Sequence, residues 1–427
     1  MGLVILVVFF ASLALSVPIG ISLGVAALSG LMFVSFDPAL IILLPQKFMA
    51  GLDSFPMLAI PLFILAGSIM SHGGIARRIV DLALVFFGRI RGGLGIVVTV
   101  STFLFGAICG SGSAKTAAIG SVMFPEMKRK RYPPELATAI IASAGGASSL
   151  IPPSIDLIII GVVANVSIGG LFAAGLFPSL ISLAALIVLV VATARKLGLP
   201  TAPRIPWDQK LRIVRDGIPP MFLVIIVIGG IYGGVFTPTE AASVAVVYGF
   251  CLSFFIYKEL KPADLRRALL QTASLSGVVL IMLGTASMVS FVMTYERIPQ
   301  QIAAAITQYA SHWTVFVLLI NVVFLLLGMF MDALPAIIVL MPILVPVAAS
   351  LGMDPLHLGI LVEANVGLGM ITPPVGICLY VACGISGISI ERSVRTLIPF
   401  MLVMLVALLV ISYVPQASLF LPRLLGY

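Results

Sequence analysis

The second half of this 427-residue chain repeats the breaks of the first. A shift of 221 positions lays Phe124-Pro125 on Val345-Pro346 and Pro134 on Pro355. The same shift lays Ile151-Pro152-Pro153 on Thr372-Pro373-Pro374, and Phe177-Pro178 on Ile398-Pro399. Five pairs of prolines, ten of the 28, therefore fall in register without a gap. Proline removes an amide donor, so shared prolines mean shared irregular backbone. In duplicated membrane halves, the place where such backbones meet is where a transport site is built.

Composition fixes the solvent. The chain is 61% hydrophobic and 9% charged, too little charge to cover a water-soluble surface. A spanning helix needs about 20 apolar residues, and Leu171 to Ala194 and Leu397 to Val414 supply them. The net charge of +8 sits in short loops, as the positive-inside rule requires, and no basic stripe marks a nucleic-acid surface. Cys109, Cys251, Cys378 and Cys383 form no CxxC pair and read as small buried residues. His72, His312 and His357 are scattered, with no HExxH. The N-terminus lacks a basic n-region and a small-residue cleavage site, so it reads as a retained membrane segment. The lipid bilayer is thus the first expected partner.

The basic flanks orient the segments. Arg89 and Arg91 precede residues 92–127, and Lys128 to Arg131 follow, so both ends are expected in the cytoplasm. That stretch is too short for two crossings and is broken at Gly110-Ser111-Gly112-Ser113, which predicts a re-entrant hairpin. Residues 133–165 read as a discontinuous helix, interrupted from Gly145 to Pro153. The plan recurs inverted: a hairpin over 312–350 broken near Asp332, and a broken helix over 356–387 interrupted from Gly367 to Pro374. The expected division is a first repeat over 1–194, a cytoplasmic linker over 195–216 and a second repeat over 217–427. Ile298 to Tyr309 is expected as an interfacial helix. Residues 2–36 read either as two helices split at Pro18 or as one long tilted helix. The fold class predicted is an all-α polytopic membrane protein with an inverted structural repeat.

In this order and spacing, several segments resemble one family. They are Ala66-Gly67 with Gly73-Gly74, Gly110 to Ala114, Ser148 to Ser154, Thr237-Pro238-Thr239-Glu240-Ala241, Gly328 to Pro335, and Ile371 to Gly376. Over essentially its whole length the chain resembles the large membrane subunit, the DctM-like permease, of tripartite ATP-independent periplasmic (TRAP) transporters. The resemblance implies a sodium-coupled importer of an organic acid, working by an elevator-like motion in the bacterial inner membrane. It also implies a small membrane subunit and a periplasmic substrate-binding protein as partners. No further basic-flanked helices precede the first span, so the small subunit is expected as a separate chain. The carboxylate itself, whether a C4-dicarboxylate, a sialic acid or another, stays open.

The candidate site follows from the breaks. Unwound carbonyls and hydroxyls are what a hard cation such as Na+ needs. The sodium-binding candidates are Ser111, Gly112 and Ser113 at the first tip, with Gly145, Ser148 and Ser149 at the first break. In the second half they are Asp332 and Ala333, with Gly367, Met370 and Thr372. The alternatives are a glycine turn capped by Ser113 and simple helix kinks. Asp332 is the offset mate of Ser111, and a carboxylate at membrane depth is a functional candidate; before Pro335 it also suits a helix cap. Substrate-binding candidates are Ser111, Ser113, Asp156, Asp332 and Asn365, beside half-helix N-termini suited to an anion. Glu363 is paired with its neighbours or protonated. Lys115-Thr116 resembles a P-loop ending, but Ala114 replaces the required Gly and no strand precedes it. With no HExxH and no GxSxG around Ser111 or Ser113, an intramembrane enzyme is not expected. A channel or scaffolding subunit is the remaining alternative.

Overall fold

Two helices stop and restart inside the protein, and the other elements pack around those interruptions. The computed structural model describes residues 2–34, 38–201, 205–298, 300–301, 313–331 and 333–427. Among the described residues there is no strand. The first half comprises α1 (Gly2–Ala14), α2 (Ile19–Val34), α3 (Pro38–Leu52), α4 (Ala59–His72), α5 (Ile75–Phe87), α6 (Gly93–Gly106), α7 (Gly112–Arg129), α8 (Pro134–Ala147), α9 (Ile155–Ala164) and α10 (Ile168–Lys196). The second comprises α11 (Trp207–Tyr232), α12 (Pro238–Cys251), α13 (Pro262–Tyr295), α14 (Trp313–Gly328), α15 (Ala333–Ser350), α16 (Pro355–Gly369), α17 (Ile377–Ser386), α18 (Ile390–Tyr413) and α19 (Gln416–Leu424). Seven described helical segments are long and apolar enough to cross a membrane.

Local chemistry sets the ends. The Thr237 hydroxyl accepts from Glu240 N at 3.3 Å, and the Glu240 carboxylate accepts from Thr237 N at 2.8 Å, a capping box ahead of α12. Asp354 accepts from Leu356 N at 2.9 Å, with Pro355 in the first helical position of α16. The hairpin ends obey the repeat offset. Arg131 and Gly352, one offset apart, both take left-handed φ, 59° and 72°, just before the prolines that start α8 and α16. The peptides Pro152-Pro153 and Pro373-Pro374, also one offset apart, are both cis.

The hairpins α6–α7 and α14–α15 and the broken helices α8–α9 and α16–α17 form the inner body. Its packing is reciprocal: α7 lies against α17, and α15 lies against α9. The crossing point is glycine on glycine. A Cβ on Gly367 would stand 2.7 Å from the Gly146 carbonyl oxygen, and one on Gly146 would run into the Gly367 carbonyl. Gly146 and Gly367 are offset mates, and mutual contact between equivalent residues is the mark of a two-fold axis. Small residues here let two backbones touch, as close helix packing in a membrane requires. Outside this body, α1–α4 and α11–α13 supply the scaffold, with α2, α3 and α4 each packed on α13. At the cytoplasmic end, Arg392 of α18 donates to Glu135 of α8 at 2.6 Å.

Several expectations shift. The N-terminal stretch is two helices, α1 and α2, joined at Pro18. Helix α11 begins at Trp207, so Lys210, Arg212 and Arg215 ride on its first turns. Cys251 is exposed on the outer side of α12 instead of buried; only Cys109, Cys378 and Cys383 are interior. The expected interfacial helix from Ile298 to Tyr309 falls largely outside the described residues.

The glycine crossing is testable. Gly146→Ala or Gly367→Ala should cost about 1–3 kcal/mol by overpacking, read as a lower melting temperature of the purified protein. Gly229→Ala has nothing within 4 Å of its new methyl and should be neutral or slightly stabilising. Equal melting temperatures for all three variants would refute the tight crossing.

Candidate functional site

The first hairpin turns at Gly110, where a Cβ would stand 2.6 Å from the Ile155 side chain. Residues 107–111 leave helix after Gly106, and α7 restarts with Ser111 as its extended cap residue, φ −105° and ψ 126°. No side chain caps that end, so the first amides of α7 point out of the tip. The Ser111 and Ser113 hydroxyls lie 3.2 Å apart. Gly112 packs against the second half: its Cβ would stand 3.0 Å from the Met370 methyl and 3.5 Å from Cys378 Sγ. Gly145 packs against Thr116 of the same hairpin. The first tip therefore touches both breaks.

The first break is a buried polar turn. Ser148 Oγ donates to the Gly145 carbonyl at 2.8 Å, and Ser149 Oγ to the Gly146 carbonyl at 2.9 Å. Lys115, fully buried, donates from Nζ to the Ser148 carbonyl at 2.9 Å. Asp156 follows in the first turn of α9 and is 6% exposed.

The second break is satisfied mainly by backbone. Val375 N donates to the Met329 carbonyl of the second hairpin at 3.2 Å, and Cys378 N donates to the Met370 carbonyl at 2.9 Å. Thr372 Oγ1 donates back to the Leu368 carbonyl at 2.8 Å. Gly367 lies at the crossing, and Ala333 is the buried first residue of α15. Asp332 lies outside the described residues. Asn365 is buried one turn before the break, where its Nδ2 donates to Asn321 Oδ1 of α14 at 2.7 Å and to the Leu361 carbonyl at 2.8 Å. Of the substrate candidates, Asn365 therefore faces the second hairpin's first arm, away from the open cavity described next.

That cavity, about 610 Å3, opens between the inner body and the scaffold. Ser111 and Ser113 line one wall with Cys109, Ile155 and Leu334 of the second hairpin. Ser68, Ser71 and His72 of α4 and Gln271 of α13 line the other. The wall is ordered: Ser68 Oγ donates to Gln271 Oε1 at 3.3 Å, and His72 Nδ1 donates to the Ser68 carbonyl at 2.8 Å, which leaves Nε2 as acceptor in the neutral ring. No Asp, Glu, Lys or Arg is among the described lining residues. His72 and Gln271 lie near the helix ends flanked by Arg77, Arg78, Arg266 and Arg267, the cytoplasmic side by the positive-inside rule. Gly67, part of the Ala66-Gly67 segment, lies on this scaffold wall, and the signal for its polar groups in the sequence is the run of Ser68, Ser71 and His72 on one face of an apolar helix.

Paired hairpins, paired broken helices and a cavity at one tip, largely apolar with a few hydroxyl and amide groups, define a multi-pass secondary transporter built from two repeats. The family model described as "Tripartite ATP-independent periplasmic transporter, DctM component" matches residues 6–417, and the chain belongs to that family. A Salmonella typhimurium protein named YgiK is 41% identical over 96% of this chain and 95% of its own length. The Pseudomonas aeruginosa C4-dicarboxylate TRAP transporter large permease protein DctM is 37% identical, over 95% of this chain and 94% of its own. The Ruegeria pomeroyi ectoine/5-hydroxyectoine TRAP transporter large permease protein is 35% identical over 96% of each chain. The YdaH transporter of Alcanivorax borkumensis shares the fold, with a TM-score of 0.62 at 16% identity over 92% of this chain and 91% of that one. The chain is thus a permease subunit of the inner membrane, not an enzyme.

Filling the cavity should stop transport without unfolding the protein. Ala117 is exposed on the cavity wall, so Ala117→Trp should lower uptake by about tenfold or more while the melting temperature holds. Undiminished uptake by this variant would take the cavity off the substrate path.

Proposed function

We propose that this chain imports a small organic acid together with sodium, receiving it from a periplasmic binding protein and working beside a small membrane subunit. The observation that carries the reading is the uncapped N-terminus of α7 at the wall of the cavity. The positive end of the helix dipole favours a carboxylate, and no fixed carboxylate among the described lining residues opposes it. Relatives carry names for C4-dicarboxylates and ectoines, and one from Oleidesulfovibrio alaskensis is named an isethionate permease, DctMQ. This chain covers 64% of that longer relative.

Sodium is the coupling ion in this reading because the two breaks gather carbonyl and hydroxyl oxygens, although the Lys115 ammonium is bonded to one of them at the first break. The carbonyls and hydroxyls of Ser111, Ser113, Gly145, Ser148, Ser149, Met370 and Thr372, with Asp332, suit a hard monovalent cation. Substrate hydroxyls or amides meet Ser111, Ser113 and Asp332, with Asp156 nearby; Asn365 serves by positioning the second break. The cavity sits toward the cytoplasm, and an elevator-like movement of the inner body against α4 and α13 carries the tips outward. No observation favours a channel or a passive scaffold.

Uptake by proteoliposomes holding both membrane subunits, with the binding protein outside, tests this directly. Uptake should require an inward sodium gradient, and Ser111→Ala and Asp332→Ala should each lower it roughly 10–100-fold, the worth of a hydrogen bond to a charged group. Sodium-independent uptake would remove the coupling, and normal uptake by both variants would remove the site.

A further inference from the structure

The two walls of the cavity between scaffold and inner body differ in hydrogen-bonding character. On the scaffold wall the hydroxyl protons are already committed. Ser68 Oγ donates to Gln271 Oε1 at 3.3 Å, and Ser71 Oγ donates to the Gly67 carbonyl at 2.8 Å. Each hydroxyl is left with lone pairs, which only accept. His72 spends its one ring proton on the Ser68 carbonyl at 2.8 Å, so Nε2 of the neutral ring also accepts. Gln271 supplies the donors: its Oε1 is taken by Ser68, and its Nε2 donates to no described residue. All four residues line the cavity, and His72 and Gln271 are exposed in it.

The inner-body wall is the reverse. There α7 begins at the cavity beside Ser111 and Ser113, with the positive end of its dipole and no side-chain cap. The two serine hydroxyls lie 3.2 Å apart, and a bond between them spends one proton and leaves the other. Between the walls the lining is apolar, with Phe63, Leu275 and Val279 from the scaffold and Ile155 and Leu334 from the inner body. A ligand spanning this gap meets positive potential at one end and mostly acceptors at the other. An ionised carboxylate accepts and never donates, so it fits the α7 end alone. At the scaffold end it would face three acceptors and one amide, with no Lys or Arg among the described lining residues to neutralise it. A hydroxyl both donates and accepts, and it satisfies both kinds of group there.

We propose that Ser68, Ser71, His72 and Gln271 form a subsite on the scaffold that reads the uncharged, hydroxylated end of a monocarboxylate. Gln271 is its specificity-determining residue, because it alone donates. The substrate class is then an acid with one carboxylate and hydroxyls remote from it, not a C4-dicarboxylate. This subsite rests on the proposed seat of the carboxylate at the α7 tip. It belongs to α4 and α13, so it meets the substrate on the cytoplasmic side, where the substrate leaves.

The test measures binding of radiolabelled acids to the permease assembled with its small subunit in nanodiscs, in the presence of sodium. D-gluconate, adipate and hexanoate share a carboxylate and a chain length and differ at the far end; succinate represents the C4-dicarboxylates. Wild type should bind D-gluconate about tenfold or more tightly than the other three. Gln271→Leu should remove about tenfold of the preference for D-gluconate over hexanoate, with an unchanged melting temperature. Equal weakening of every acid by Gln271→Leu, or no weakening, would overturn its role. Should that variant fail to assemble, the wild-type order decides: preference for adipate, succinate or hexanoate, or binding of none of the four, overturns the substrate class. Ser111→Ala acts at the shared carboxylate and should weaken D-gluconate and hexanoate alike. Normal binding of both by Ser111→Ala removes the carboxylate seat of the proposed function, whereas a D-gluconate preference that survives Gln271→Leu removes the scaffold subsite alone.

Discussion

A helix that stops inside a membrane leaves carbonyls and amides that lipid cannot satisfy, and this fold is arranged to satisfy them. The first break closes on a lysine, two serines and its own carbonyls. The second closes on the backbone of the opposite hairpin, through Val375 N and the Met329 carbonyl. Each hairpin is itself a broken segment, so every interruption serves as the partner of another. Take away one, and the polar backbone of its partner is left in an apolar interior. The four interruptions are therefore a single structural unit, although they come from segments more than two hundred positions apart.

That unit has room to exist because Gly146 and Gly367 carry no side chains. Their contact brings the two broken helices to backbone distance at the axis. Any wider separation would move the first tip off Met370, which Gly112 reaches only because it too lacks a Cβ. Packing at the axis thus sets the distance between the two tips and both breaks. The scaffold is closely packed as well: a Cβ on Gly284 of α13 would stand 2.5 Å from the Phe48 ring of α3, and one on Gly249 of α12 would stand 2.5 Å from the Met70 methyl of α4.

The sequence announced the interruptions because glycine and proline act locally. Gly110 to Ser113, Gly145 to Pro153 and Gly367 to Pro374 are legible from residue chemistry alone, but α8 runs on through Ala147 and α16 through Gly369, so each break opens after the glycines that signal it, once the prolines and the tertiary partners take over. Pairings across the fold left no such mark. Asn365 gave no hint that it would bond Asn321, and its separation from the cavity follows from that bond. The short helices α3 and α5 and the terminal α19 were not distinguished from loops and flanks. Their apolar faces are set by neighbours far away in sequence. Lys115 was visible only as the end of a failed phosphate motif. An ammonium is expected at a membrane surface, and only the tertiary fold shows Gly106 opening a path for it into the interior.

The asymmetry between the halves then has a direction. Duplication hands both halves the same backbone, and the conserved offset shows in the cis peptides, the left-handed hairpin ends and the paired carbonyl bonds. Side chains are free to diverge wherever the backbone no longer depends on them. By the repeat offset Ser111 is the mate of Asp332, and Lys115 is the mate of Ala336. Ionisable residues stand against neutral mates in both halves, among them Lys115 and Asp156 in the first and Asp332 and Glu363 in the second. Divergence of this kind makes an asymmetric set of charges out of a symmetric frame. An organic anion has a head and a tail, and only a site whose two ends differ can hold it one way round.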